Sequence, residues 1–321
     1  MNFSIYFDES NKLDETKLYS YYGGFGGSES DIGRLSKAIK AYYKNSSSEL
    51  HFAEYTKDTA VSKYFNVINT VLNSGITFNL FIVNNDSALQ LANHYGITDT
   101  ELRNMLYIKI PERLFYGITR YNTDITKVNI TVDRDDNYKK IRLYSKIKEQ
   151  MNAHSAYRNL RYQINKVKSV NSAKNKYVQI IDVIMGMTVF IMEKSYNADS
   201  VGAKVKSDLI YRLLLEGDNV NLFRSKVRIF KWDGDGENII EVNIGDYIPE
   251  FLLQKQSFDL QEIMRLQKIK DLHGSQSPLS LGEYQKLMGY SGSLRRMLLG
   301  YLDVIHAKDR NHSLRINTIS V

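Results

Sequence analysis

Phe3-Ser4-Ile5-Tyr6-Phe7-Asp8 is a short run of β-formers that stops on an acid, and Lys127-Val128-Asn129-Ile130-Thr131-Val132-Asp133 repeats the pattern. Alternating runs of this kind read as strands. Ile76-Thr77-Phe78-Asn79-Leu80-Phe81-Ile82-Val83-Asn84 is a third, and Leu18–Phe25 a fourth, closing in Gly23-Gly24 and Gly26-Gly27. Between them the period changes to that of helices: Ser28–Lys44, Asp58–Leu72, Asp86–Tyr121 (punctuated by Gly96 and Pro111), a basic stretch Tyr138–Met151, and an apolar one, Tyr177–Lys194. Leu50–Tyr55 is ambiguous. Leu160–Val170 reads as strand, and Arg228–Trp232 with Ile239–Asn243 as a hairpin around Asp233–Glu237. Strands alternating with helices predict an α/β fold. Beyond Pro249 the texture becomes basic and strand-poor, with short helices at Asp259–Leu272, Leu281–Met288 and Gly292–Ile305. A boundary at Pro249–Gln256 therefore separates domains 1–250 and 256–321.

The 321 residues suffice for one large or two modest cores, and 43% hydrophobic with 25% charged residues is ordinary for a globular chain. With no cysteine, disulfides, thiolate metal sites and cysteine nucleophiles are excluded. The N-terminus has no basic region followed by a long apolar one, and Tyr177–Met192 is too short for a span and contains Gln179 and Asp182. The expectation is a cytoplasmic protein with no membrane partner. Net charge is +7, but Arg134–Lys176 alone holds 12 Lys and Arg against 3 Asp and Glu. Lys255 to the end holds 10 against 6. Each run is either a solvated face or a track for polyanions.

Several familiar motifs fail. Gly23-Gly24-Phe25-Gly26-Gly27 has neither the dinucleotide fingerprint nor a Gly-Lys-Ser/Thr ending, so it reads as a tight strand end with close backbone packing. Asp233-Gly234-Asp235-Gly236-Glu237 opens like a calcium loop, yet Asn238 and Ile244 stand where Gly and Glu are needed. The six histidines include no His-x-x-x-His pair, which argues against a zinc hydrolase. His154 reads as a surface histidine, with general acid as the alternative. No Gly-x-Ser-x-Gly elbow occurs.

The carboxylates are more informative. Asp8 and Asp133 end strands, and Asp182 sits in Val178-Gln179-Ile180-Ile181-Asp182-Val183-Ile184-Met185-Gly186, among apolar neighbours. A carboxylate on an apolar helix face costs several kcal/mol unless paired or metal-bound. Converging acids suit magnesium or manganese, which take hard oxygen ligands and, as a pair of ions, assist phosphodiester hydrolysis. The alternatives are turn caps at Asp8 and Asp133 and a buried salt bridge to Lys or Arg at Asp182.

Asp8-Glu9-Ser10, Glu49-Leu50-His51, Val132-Asp133-Arg134 and Gln179 to Gly186 follow one another in an order that resembles the bacterial domain-of-unknown-function family numbered three thousand eight hundred. That family's pattern is Asp-Glu-Ser-Gly, Glu-Leu-Lys, a strand-end Asp and Gln-x-Ala-Asp-x-x-x-Gly. The resemblance covers residues 3–195. It implies a ribonuclease H-like mixed sheet flanked by helices and a setting near mobile elements or phage-defence genes. It further implies that Asp8, Glu49, Asp133 and Asp182 hold Mg2+ or Mn2+ and form the catalytic set. Asn11, His51 and Ile181 depart from the pattern, where the family has Gly, Lys and Ala. Asn tolerates the positive φ that such a turn needs. Asp135 or Asp136 is an alternative to Asp133, and Glu54 to Glu49.

The basic C-terminal segment has no counterpart in the resemblance. Leu279–Ser291 and Gly292–Ile305, with Arg295 and Arg296 near the second helix's start, have helix-turn-helix proportions, and Arg310–Ile319 would be a wing strand. The expectation is a divalent-metal-dependent nuclease whose partner is DNA or RNA. A non-cutting nucleic-acid-binding protein of the same fold is the alternative, and an enzyme acting on a small phosphorylated molecule a third.

Overall fold

A computed structural model describes residues 2–44, 48–119, 126–234, 238–273, 279–289 and 295–309. The chain divides into two compact units: residues 1–51, 67–186 and 220–244 form the first, and 52–66, 187–219 and 245–321 the second.

The first unit is built on a seven-stranded mixed sheet. Its strands are β1 (Asn2–Ser10), β2 (Tyr19–Ser28), β3 (Thr77–Asn84), β4 (Thr126–Asp133), β5 (Tyr162–Val170), β6 (Val227–Trp232) and β7 (Ile240–Val242), in the order β5-β4-β1-β2-β3-β6-β7. β1, β2 and β3 form an antiparallel meander; β4 and β5 run parallel to β1, and β6 runs parallel to β3. β6 and β7 pair antiparallel, the expected hairpin.

Helices α1 (Glu29–Lys44), α2 (Val61–Leu72), α3 (Asn85–His94) and α4 (Asp99–Thr119) follow the anticipated periods. The chain breaks at Gly96, which takes φ 64°, but not at Pro111, which sits inside α4. Burial of Ile108, Ile110, Leu114 and Phe115 on both sides of the proline holds that helix together despite the missing N–H. The basic stretch is two helices, α5 (Asp136–Lys140) and α6 (Leu143–Tyr157), because Arg142 adopts φ 54° between them. The apolar stretch is α7 (Lys176–Met192).

The glycine tract corrects one expectation. β2 does not end there but runs through all four glycines to Ser28. The tract alternates across the sheet: Gly24 and Gly26 face Ile118 of α4, whereas Gly23 faces Ile181 of α7 and Gly27 faces Ile32 of α1. The expected close packing is therefore present, on both faces. A Cβ at Gly26 would lie 2.6 Å from the Phe3 ring and 2.7 Å from Ile118. One core gathers Phe3, Ile5 and Phe7 with Phe115 of α4 and Leu143, Ile147 and Met151 of α6.

The second unit contains α8 (Val201–Leu215), α10 (Ile248–His273), α11 (Leu281–Met288) and α12 (Arg295–Asp309), while α9 (Asn219–Lys226) leads into β6. α10 runs unbroken through the segment where the sequence places a domain boundary, and the unit also draws in residues 52–66 and 187–219. Within it the buried Lys255 ammonium is 2.6 Å from Asp259 Oδ2, and the Tyr301 hydroxyl donates to Asp259 Oδ1 at 2.5 Å. Asp259 thus joins α10 to α12, and Lys255, paired with it from inside, adds nothing to a basic surface. The wing expected at Arg310–Ile319 and the side chains of Arg295 and Arg296 lie outside the described residues. Among the described residues no helix is long and apolar enough to cross a membrane.

Candidate functional site

β1 and β4 lie side by side and parallel, with Phe7 opposite Val132. Asp8 and Asp133 are the next residue of each strand. Both sit at carboxyl ends where the chain order turns outward from β1, the position at which open α/β sheets take their ligands. Strand alternation puts Asp8 on the face of Tyr6, whose ring is 4.5 Å from that of Tyr177 on α7. The residue across from Asp8 in β2 is Gly23. A Cβ there would lie 3.0 Å from the Ile181 side chain, so the missing side chain lets α7 approach the sheet where Asp182 follows Ile181.

The electrostatics of Asp8 report the result. Burial lifts its carboxyl well above the usual range, and the negative charges of Glu9, Asp182 and Asp133 add to the lift. The Glu9 N–H donates to Asp8 Oδ1 at 2.9 Å and pulls the other way. Asp133 Oδ1 accepts the Ser172 N–H at 3.1 Å. Asp182 Oδ2 lies 3.7 Å from His51 Nδ1, a contact that becomes an ion pair when the imidazole is protonated.

Glu49 precedes Leu50, whose N–H bonds to Gln179, and it belongs to the same unit as the three aspartates. It is not among the leading charges acting on Asp8. Glu54 belongs to the second unit. Asp135 is engaged by Lys12, and the side chain of Asp136 lies outside the described residues. His154 packs against Tyr116 and lies 3.5 Å from Glu112, on the α4–α6 side.

Three contributors escaped sequence reasoning. Glu9 points to the opposite face of β1 from Asp8, its side chain only 2% exposed, with Oε1 3.1 Å from Lys12 Nζ. Burial raises its carboxyl, and Lys12 opposes the rise. Lys12 also reaches Asp135 Oδ2 at 2.6 Å, so one ammonium ties together the chain just past the ends of β1 and β4. Burial alone would lower this lysine, but Glu9 and Asp135 outweigh it and raise it.

The turn that delivers Lys12 is strained. Asn11, Lys12 and Leu13 take φ of 65°, 38° and 56°, each costing on the order of 1–3 kcal/mol unless the surroundings impose it. They do. The Asn11 amide donates to Tyr19 O at 2.9 Å and the Leu13 N–H to Ser20 Oγ at 2.6 Å. Buried Asn85 accepts from Ser20 and donates to the carbonyls of Asp14 and Lys17. The alternating pattern around Glu9 signalled its inward side; the turn had no signal beyond Asn11.

Gln179 is the third contributor. Its amide donates to Ser172 O at 2.9 Å and Ala173 O at 3.2 Å, while its carbonyl accepts the Leu50 N–H at 3.3 Å. One side chain thus joins α7, the segment that touches Asp133 and the segment that holds Glu49 and His51. Quoted in the family motif, it had no role until these contacts assigned one.

Asp8, Asp133 and Asp182 are hard oxygen donors, and the charges of the last two act on the first. As they stand, no three His, Cys, Asp or Glu among the described residues form a closed ligand group. No family model matches the chain. No curated protein matches it either.

The raised acids have a pH consequence. A carboxyl whose folded pKa exceeds its unfolded value favours folding while protonated, and that contribution is lost as pH rises through the folded pKa. Asp8 and Glu9 both behave so. In EDTA, Asp8→Asn should therefore melt at least as high as the parent at neutral pH and fall less steeply between acid and neutral pH. Melting curves across that range check it; a variant that melts lower at neutral pH would contradict the repulsion.

Proposed function

We propose that the chain is a divalent-metal-dependent nuclease with a ribonuclease H-like catalytic unit, whose acids Asp8, Asp133 and Asp182 hold Mg2+ or Mn2+. The observation that carries this is the lift of the Asp8 carboxyl, by burial first and then by the negative charges of Glu9, Asp182 and Asp133. Such a cluster is costly without a cation and becomes favourable with one. The meander β1-β2-β3 followed by parallel β4 and β5, with acids at the β1 and β4 carboxyl ends, supports the fold part of the proposal.

Bound there, a divalent ion supplies activation of water and stabilisation of the leaving oxygen. The chain's own residues do the positioning. Ser172 orients Asp133, Gln179 fixes the start of α7 and with it Asp182, and Lys12 neutralises Glu9 so that Asp8, not its neighbour, is the strand-end donor. Glu49 and His51, on the segment that Gln179 holds, are the candidates to complete the donor set or to handle a proton.

Manganese or magnesium should raise the melting temperature, by about 2.7 kcal/mol of stability at a hundredfold excess over Kd. Asp133→Asn should lose most of that gain. An unchanged parent melting temperature at millimolar metal would remove the site. Metal-dependent cleavage of a mixed DNA and RNA substrate pool tests the activity. Binding without cutting would leave the non-catalytic alternative.

A further inference from the structure

A recess in the first unit lies between the last turn of α1 and the start of α7, lined by Tyr43, Lys174, Asn175, Lys176, Tyr177 and Gln179. Its chemistry is aromatic and cationic. The Tyr177 ring is held against Tyr6 at 4.5 Å and Phe25 at 6.5 Å, so it is already fixed before anything docks. Lys176 Nζ is fixed by Ser36 Oγ at 2.8 Å and lies 5.2 Å from the Tyr177 ring centre. Burial first, and then the positive charge of Lys40, hold Lys176 below the usual lysine range. Lys174 is exposed beside it, so two lysines stand at the recess. The start of α7 is not the source of the attraction, because Asn175 Oδ1 already accepts the N–H groups of Tyr177 and Val178.

Gln179, in the wall of the recess, is linked to two of the acids through hydrogen bonds and through α7. Gln179 bonds Ser172 O, and the Ser172 N–H bonds Asp133. Asp182 lies three residues beyond Gln179, about 4.5 Å of helix rise, which one to two stacked nucleotides span at about 3.4 Å each.

We infer that this recess is a subsite for an unpaired nucleotide, with the base laid on Tyr43 and Tyr177 and the phosphate drawn by Lys174 and Lys176. Fixed aromatic faces beside lysines bind single strands because every base offers a π-face, whereas a paired base keeps its faces stacked inside the duplex. The subsite deepens the nuclease proposal by naming the substrate class, a single strand or single-stranded end, and rests on it only for what happens at the acids.

The test is fluorescence anisotropy in EDTA with the full chain and three labelled probes: a short oligothymidylate, a duplex of the same length, and an abasic oligomer with the same phosphates. The parent should bind oligothymidylate more tightly than either other probe. Tyr43→Leu should weaken oligothymidylate roughly 5- to 150-fold, the range of one lost base stack, and leave the abasic oligomer unchanged; Tyr43→Phe should retain binding. Lys174→Glu should weaken both single strands. Equal parental affinity for the thymidylate and abasic probes, or no effect of a folded Tyr43→Leu, overturns the subsite. If Tyr43→Leu fails to fold, the parental ranking of the three probes decides alone. Duplex cleavage without single-strand preference would overturn the subsite and leave the nuclease standing. Tyr43-dependent single-strand binding without metal-dependent cutting would do the reverse.

Discussion

Asp133→Asn and Asp182→Asn should each lower cutting by on the order of a hundredfold or more, with fold and nucleic-acid binding largely retained. Asparagine keeps the shape of aspartate but removes the charge that a hard ion needs. The loss of one preorganised electrostatic element at an active site typically costs that much in rate. Stability adds a second readout at Asp182. Half of a buried salt bridge, neutralised, would strand a cation and cost about 3–5 kcal/mol. Here the imidazole 3.7 Å from Asp182 belongs to His51, whose side chain is 42% exposed, and Asp182 adds to the repulsion on Asp8. The metal-free Asp182→Asn protein should therefore melt within a few degrees of the parent or above it. Rates with manganese and melting curves in EDTA, for both variants, check the pair. Retained cutting by both, or a large destabilisation at Asp182, would end the assignment of these residues.

A larger structural effect is expected at Gly23. Any side chain there meets Ile181 at 3.0 Å and Leu80 at 3.1 Å, so Gly23→Val must push α7 or the sheet aside, at a cost of about 1–3 kcal/mol or more. Because Asp182 follows Ile181, the same displacement moves a proposed ligand, and the manganese-induced rise in melting temperature should shrink with it. Ile181→Ala alone removes a fully buried side chain and should cost about 2–5 kcal/mol. The double variant, Gly23→Val with Ile181→Ala, should be more stable than the sum of the two changes implies, by about 0.5–3 kcal/mol, because the new methyl groups fill the space that isoleucine leaves. Strict additivity would show that Ile181 does not press on Gly23.

Most elements with a strong period were legible: β1, β3, β4, α1, α2 and α7 stand close to where alternation or helical spacing puts them, because those patterns record which side of each segment is buried. So were the two strand-end aspartates, since a strand that stops on an acid is a local event. α8 and α9 were not assigned, and α10 proved to extend back through Pro249, because proline is tolerated in a helix's first turn and Phe251 anchors that turn by burial. Pro111 misled for another reason: it lies in the interior of α4, where burial on both sides of it holds the helix together.

What tertiary structure alone decided is which residues share the carboxyl end of β1. No local signal says that β4, more than a hundred residues away, lies next to β1 with Phe7 opposite Val132, or that Gly23 lies opposite Asp8. The sequence by itself determined the residue types: an acid at the end of each strand, an acid inside an apolar helix, glycines where no side chain fits. Register and helix packing decided that the charges of Asp133 and Asp182 reach Asp8, that Glu9 is buried behind Lys12, and that Gln179 bridges three segments. Side-chain periodicity is written along the chain, whereas pairing depends on the combined burial and hydrogen bonding of segments far apart in it, so the first can be read from one segment and the second cannot.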